Sequence, residues 1–199
     1  MKKWIYCLIL IVTLIIISLP SKTFSQTATV PINITVNGTL TISDANNDAS
    51  GGKNPNLTVN LTLTPDLGGP AAIGAANFRI RTNRSSWKLT AQRTTENDNG
   101  PTNILAMDVI VGISTMVGLN ANPNAGVLVA PFNAATDLSQ VSTSVPVTVI
   151  EGKSKTSTQR DSTNLNNFFE VNTVYGIASD FYYQPGTWST TITYSLVSP

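Results

Sequence analysis

The chain has no histidine, and its 199 residues include a single cysteine, Cys7. Without histidine the usual general base is absent, as are Ser-His and Cys-His nucleophile pairs and the commonest transition-metal ligand. One cysteine allows no internal disulfide, so stability must rest on a packed core. Charge is also scarce: Asp, Glu, Lys and Arg make up 12% of the chain, about half the ~25% of an ordinary soluble domain. The acids are scattered singly, with no carboxylate pair of the kind a glycosidase needs. An enzyme is therefore not expected, and no cofactor is implied. Helical periodicity is missing too, since no window of about 11 residues keeps a 3.6-residue repeat.

What is present begins with an export signal. Lys2 and Lys3 precede an apolar run from Ile5 to Leu19, and small residues at Thr23 and Ser25 suit cleavage before Gln26. The run is shorter than the ~20 residues that span a bilayer comfortably, so no stable membrane span is expected after cleavage. Cys7 lies at the start of the run rather than behind it, which argues against a lipoprotein. Leu19-Pro20-Ser21-Lys22-Thr23 looks like a sortase signal but stands at the wrong end. Loss of Lys2, Lys3 and Lys22 from the 12 basic residues leaves nine against 11 acids, a net charge of about −2 that gives no case for nucleic acid. The expected organisation is a signal over 1–25 and one secreted domain over 26–199.

The remainder alternates with period two, which predicts an all-β fold. Val30, Ile32, Ile34, Val36, Gly38, Leu40 and Ile42 share one parity. An Asn37-Gly38 hairpin would throw Leu40 and Ile42 onto the other face, so register favours one long strand with an inward glycine. Leu57, Val59, Leu61 and Leu63 form the next apolar row, followed by Phe78 and Ile80, then Trp87, Leu89 and Ala91. Leu105, Met107, Val109, Val111 and Ile113 align in a further strand; shorter ones are read at 126–132 and 144–150, then at 168–178 and in the terminal stretch from Thr187. About eight to nine mostly antiparallel strands, separated by Gly, Pro and Asn, predict a single β-sandwich of Ig-like or Greek-key kind. Residues 45–55, 94–102 and 151–167 are read as its loops.

Two stretches carry a resemblance. Trp87-Lys88-Leu89 follows a strand and a polar turn, and near the other end come Pro185, Gly186, Thr187 and Trp188, then Ile192, Tyr194, Ser195, Leu196 and Pro199. Together they resemble the WxL-type surface domains of Gram-positive bacteria, which carry an internal W-x-L and a second near the C-terminus. The second motif departs from the family in having Tyr194 for tryptophan, which bears on binding rather than on fold. The resemblance implies a non-catalytic, secreted adhesion-type protein at the cell surface or wall. Its partners would be peptidoglycan, another surface polymer or surface proteins. Trp87, Leu89, Trp188, Tyr194 and Leu196 would form the contact, with Arg79, Arg81 and Lys88 on the outward face beside them. The simpler reading places both tryptophans in the core, and the charges on a solvated sheet face.

A second resemblance is to chaperone-assembled fimbrial pilins and spore coat U-like secreted proteins. It implies a structural subunit that self-assembles when one copy lends a strand to the next, with Val30, Ile32, Ile34 and Val36 as the inserted side chains. The alternative is that this segment pairs within its own domain. Asp44, Asn46 and Asp48 form a D-x-N-x-D run with the spacing of a calcium loop, but Ala49 and Pro55 stand where an EF-hand needs glycine and an acid. A solvated loop is the simpler reading. Asn33, Asn37, Asn56, Asn60 and Asn83 begin N-x-S/T sequons, as expected by chance in a chain so rich in Asn and Thr.

Overall fold

β-Strands supply the regular structure of the residues that the computed structural model describes, 31–48 and 53–199, with short 3-10 turns at Ala106–Asp108 and Leu138–Gln140. In chain order they are β1 (Leu40–Asp44), β2 (Ala72–Thr82), β3 (Trp87–Arg93), β4 (Asn97–Asn99), β5 (Val109–Val117), β6 (Gly126–Leu128), β7 (Thr136–Asp137), β8 (Val147–Gly152), β9 (Phe169–Ile177), β10 (Thr187–Ser189) and β11 (Ile192–Val197). They form a five-stranded sheet in the order β1-β2-β9-β5-β7, a four-stranded sheet β11-β3-β8-β6 and a two-stranded ribbon β10-β4. Among the described residues every ladder is antiparallel, and no sheet closes into a barrel. The chain divides into two units, Met1–Val36 and Asn37–Pro199, and the strands of the described residues belong to the second.

Both larger sheets bury their inward residues in one core. Phe78, Ile80, Val111, Phe169 and Val171 enter it from the five-stranded sheet, and Trp87, Leu89, Val149 and Ile150 from the four-stranded one. The Trp87 indole is its centrepiece. It is fully buried, meets Phe169 edge-on at 5.9 Å between centroids, and donates its Nε1–H to the Ser154 carbonyl at 2.8 Å. This satisfies the one polar group of a large apolar side chain. Gly152 lies opposite Trp87 on β8, where an added Cβ would come within 2.0 Å of the indole. The ring therefore lies flat on backbone that only glycine leaves open. Between Leu89 and Thr90 the β3–β8 register skips Val149. This bulge lets the consecutive residues Val149 and Ile150 both be buried.

The strands are shorter and more numerous than the alternation predicts. The long strand read over 30–42 reduces to β1, because β1 uses up β2 when Leu40 reaches Thr82 and the chain then turns toward β3. Asn83 closes the ladder in place of a further strand, accepting the Thr39 N–H and donating to the Asn37 carbonyl, each at 2.8 Å. Residues 31–39 join no ladder and have no regular secondary structure, and Val30 lies outside the described residues. Leu105 and Met107, read as part of the β5 face, are exposed: Asp108 accepts the Leu105 N–H at 2.8 Å and winds this stretch into a 3-10 turn. The terminal stretch is two strands in different sheets, β10 beside β4 and β11 beside β3. The partner of β10 falls inside 94–102, which reads as a loop.

Candidate functional site

The residues that the WxL resemblance brings together go mostly into the interior. Trp87 and Leu89 are fully buried on β3. Leu196 faces Leu89 across the β11–β3 ladder and Tyr194 faces Ala91, so both extend the same inward face. Tyr194 stacks obliquely on Phe78 at 5.0 Å and shares a 3.0 Å hydrogen bond with the Tyr175 hydroxyl. Burial, with Tyr175 beside it, pushes its phenol well above the ordinary value. Trp188 is half-buried against the core from the two-stranded ribbon. Of these side chains Trp188, Tyr194 and Leu196 are partly buried and Trp87 and Leu89 fully so.

The outward basic residues are also engaged. Arg81 grips Asp48 with two parallel bonds, Nη1 to Oδ1 at 2.7 Å and Nη2 to Oδ2 at 2.6 Å, a bidentate fork. Arg79 reaches the same carboxylate at 3.1 Å and Glu170 at 2.8 Å, and lies 3.8 Å above the Phe168 ring. The Ser43 hydroxyl donates a further bond to Asp48 at 2.6 Å. Burial raises the Asp48 carboxyl, but bonds from Arg81, Ser43 and Arg79, with the Arg81 charge, outweigh it and hold the group below its ordinary value. Asp48 is thereby bound to two guanidinium groups, and Asp44 accepts the Asn46 N–H at 2.8 Å. The D-x-N-x-D run builds an arginine clamp and a turn. Among the described residues no group of three acids, cysteines or histidines could hold a metal. Lys88 remains half-exposed, 3.9 Å from Glu151 on the neighbouring strand.

Two other segments are less settled. Ile32, Ile34 and Val36 are 80%, 82% and 78% exposed on a segment without regular secondary structure. They form a row of three large β-branched side chains in water, and a contiguous apolar row of this kind is uncommon on a protein surface. The second segment is residues 55–64. Leu57, Val59, Leu61 and Leu63 pack against the core as their alternation predicts, yet the segment joins no ladder. Among the described residues its backbone is hydrogen-bonded only at its ends. The Asn54 N–H donates to the Ile42 carbonyl at 3.0 Å, and Ser179 Oγ donates to the Thr64 carbonyl at 3.4 Å. Sequence reasoning identified the inward face of this segment and missed the lack of pairing, which no residue type in it announces.

The segment runs beside an open edge. β2 pairs with β9 from Ala72 to Ile80, but has β1 on its other side only from Phe78 onward. Inward on the singly paired half stand Ala72, Gly74 and Ala76, all small. A Cβ on Gly74 would lie 2.5 Å from Val59 Cγ1 and 2.9 Å from Leu61 Cδ2, so these side chains fill the space that the small residues leave. The outer edge of β11 is likewise free of a ladder among the described residues. No protein-family model matches the sequence, and no curated protein is significantly similar to it.

Proposed function

We propose that this protein is an exported, non-catalytic structural subunit that assembles at the cell surface by strand exchange, lending residues 30–36 to a neighbouring copy. The observation that carries this reading is the exposure of Ile32, Ile34 and Val36 on a segment that joins no ladder among the described residues. Such a segment is prepared for β-augmentation: main-chain bonds to a sheet edge would give affinity, and the alternate side chains would give register. Its outward positions, Asn33 and Thr35, are neutral, so no charge opposes lateral packing. The fold on this reading is one β-sandwich made of the two larger sheets, with the ribbon as an appendage. Binding of a wall polymer has less support, because Trp87 and Leu89 are buried and Arg79 and Arg81 are paired internally.

The test is the double variant Ile32→Asp/Ile34→Asp. Wild-type protein should form oligomers in light scattering and chains in electron micrographs, and the variant should remain monomeric with an unchanged near-ultraviolet circular dichroism spectrum. Assembly of the variant at the wild-type rate would sink the proposal.

A further inference from the structure

We infer that residues 55–64 are a removable plug, held by side chains alone in the place that residues 30–36 of a second copy take on assembly. The inference rests on the strand-exchange reading and supplies what that reading lacks, an acceptor.

Three observations converge on it. The first is the match between the two segments: Ile32, Ile34 and Val36 alternate with Asn and Thr, and Leu57, Val59, Leu61 and Leu63 alternate with Thr and Asn. Both present a neutral ribbon with one apolar face, so either could fill the same mouth. The second is the lack of pairing. The backbone of residues 55–63 makes no hydrogen bond among the described residues, although the plug crosses beside Gly74 on a half-strand whose outer edge is itself unpaired. A strand that buried the same apolar row and also zipped onto β2 would hold the position better, because it adds ladder bonds at equal burial. The third is the way the plug is tied. It is anchored at Asn54 and again at Thr64 and Asp66, where Ser179 bonds both. It can therefore swing out as a loop while its ends stay in place.

The donor is a second copy rather than the same chain. Asn83 ties Asn37 at the Leu40 end of β1. The unpaired stretch of β2 begins beyond the Asp44 end, about 14 Å further along at ~3.4 Å per residue. A segment that ends at Asn37 would use about four of its seven residues to cross that distance and leave too few to fill its own acceptor, whereas a neighbour's segment uses none.

The geometry also supplies a lock. A Cβ at position 74 would stand 3.9 Å from Val59 Cβ, within the ~3.5–4.5 Å that a disulfide requires. In a Cys7→Ser background, Val59→Cys/Gly74→Cys should assemble at least tenfold more slowly when oxidised than when reduced. Reduction should restore assembly in the same molecules. A fluorescent peptide of residues 28–37 should bind the reduced form and the wild type but not the oxidised form. Leu61→Thr, which loosens the plug without locking it, should speed assembly.

Equal assembly and equal peptide binding in the oxidised and reduced forms overturn the plug. The plug alone fails if the lock has no effect while Ile32→Asp/Ile34→Asp still abolishes assembly. The strand-exchange reading fails, and the plug with it, if that double variant assembles normally or if the wild type never assembles. If the double-cysteine variant does not fold, the Leu61→Thr and peptide measurements decide: no gain in rate and no binding by the wild type count against the plug.

Discussion

The two halves of β2 are built from different residues and keep different company. From Phe78 to Ile80 the strand is paired on both sides, its inward residues are large, and the outward arginines there and just beyond, Arg79 and Arg81, are clamped by Asp48 and Glu170. From Ala72 to Ala76 it is paired on one side and its inward residues are small. Outward stands Ile73, 69% exposed. One half is a finished piece of core, and the other is a lined but unzipped opening. Burial of alternate side chains is thus a separate matter from completion of the ladder, and the opening has the first without the second. Variants aimed at the finished half should lower stability without preventing strand exchange, whereas those aimed at the opening should do the reverse.

The largest expected effect is at Trp87. Its indole meets Phe169, which pairs with Ile80 in the finished half. Trp87→Ala should lower unfolding free energy by about 4 kcal/mol, from lost burial and the cavity left behind, and it also strips the Ser154 carbonyl of its donor. Urea denaturation followed by fluorescence or circular dichroism measures the loss. A cost below about 1 kcal/mol would show that Trp87 is not central to this core.

The next effect is at Asp48, which closes the outer face of the same half. Asp48→Asn leaves Arg81 without its counter-charge and should cost about 2 to 3 kcal/mol near neutral pH, below the ~3–5 for breaking a deeply buried pair because the arginines are partly in water. The pH dependence has a defined sign. The folded carboxyl lies below its ordinary 3.8, so its contribution is complete above that value and is lost as pH falls through the lower folded value. Wild type and variant should therefore converge in acid. A difference that stays constant down to pH 2 would assign the loss to packing rather than to charge.

Much of this contrast was legible in the sequence, and its central feature was not. Parity correctly identifies the inward residues Trp87, Leu89 and Ala91 of β3 and Phe78 and Ile80 of β2, because a half-buried strand must alternate. It also sets Arg79 and Arg81 outward. Parity is silent about edges, since a side-chain row looks the same whether or not the backbone beside it is paired. Hence 30–42 read as one strand and 56–64 as an ordinary one. The real limits come from single side chains. Asn83 ends the β1 ladder, Asp108 winds Leu105 and Met107 out of β5, and Asp48 reaches two arginines more than thirty residues away. Each is a polar contact fixed by tertiary position, for which the local pattern carries no sign.

The smallest effect is the most specific, at Tyr194, where the finished half of β2 meets the last strand. The Tyr194 ring packs on Phe78 and its hydroxyl meets that of Tyr175. Tyr194→Phe keeps the ring and removes one oxygen, leaving the buried Tyr175 hydroxyl without this partner; the expected cost is about 1 kcal/mol at neutral pH. Because the folded phenol lies well above its ordinary 10.0, the stability associated with its neutral form is complete below that value and fades as pH rises, when the unfolded chain ionises and the folded one resists. The phenylalanine variant has no such group to lose. Its deficit should shrink and then reverse as denaturation is followed above pH 10, while assembly through the unzipped half proceeds as in the wild type. A deficit that grows in alkali would mean that Tyr194 ionises readily in the folded chain, and would place the last strand at a looser edge than its contact with Phe78 implies.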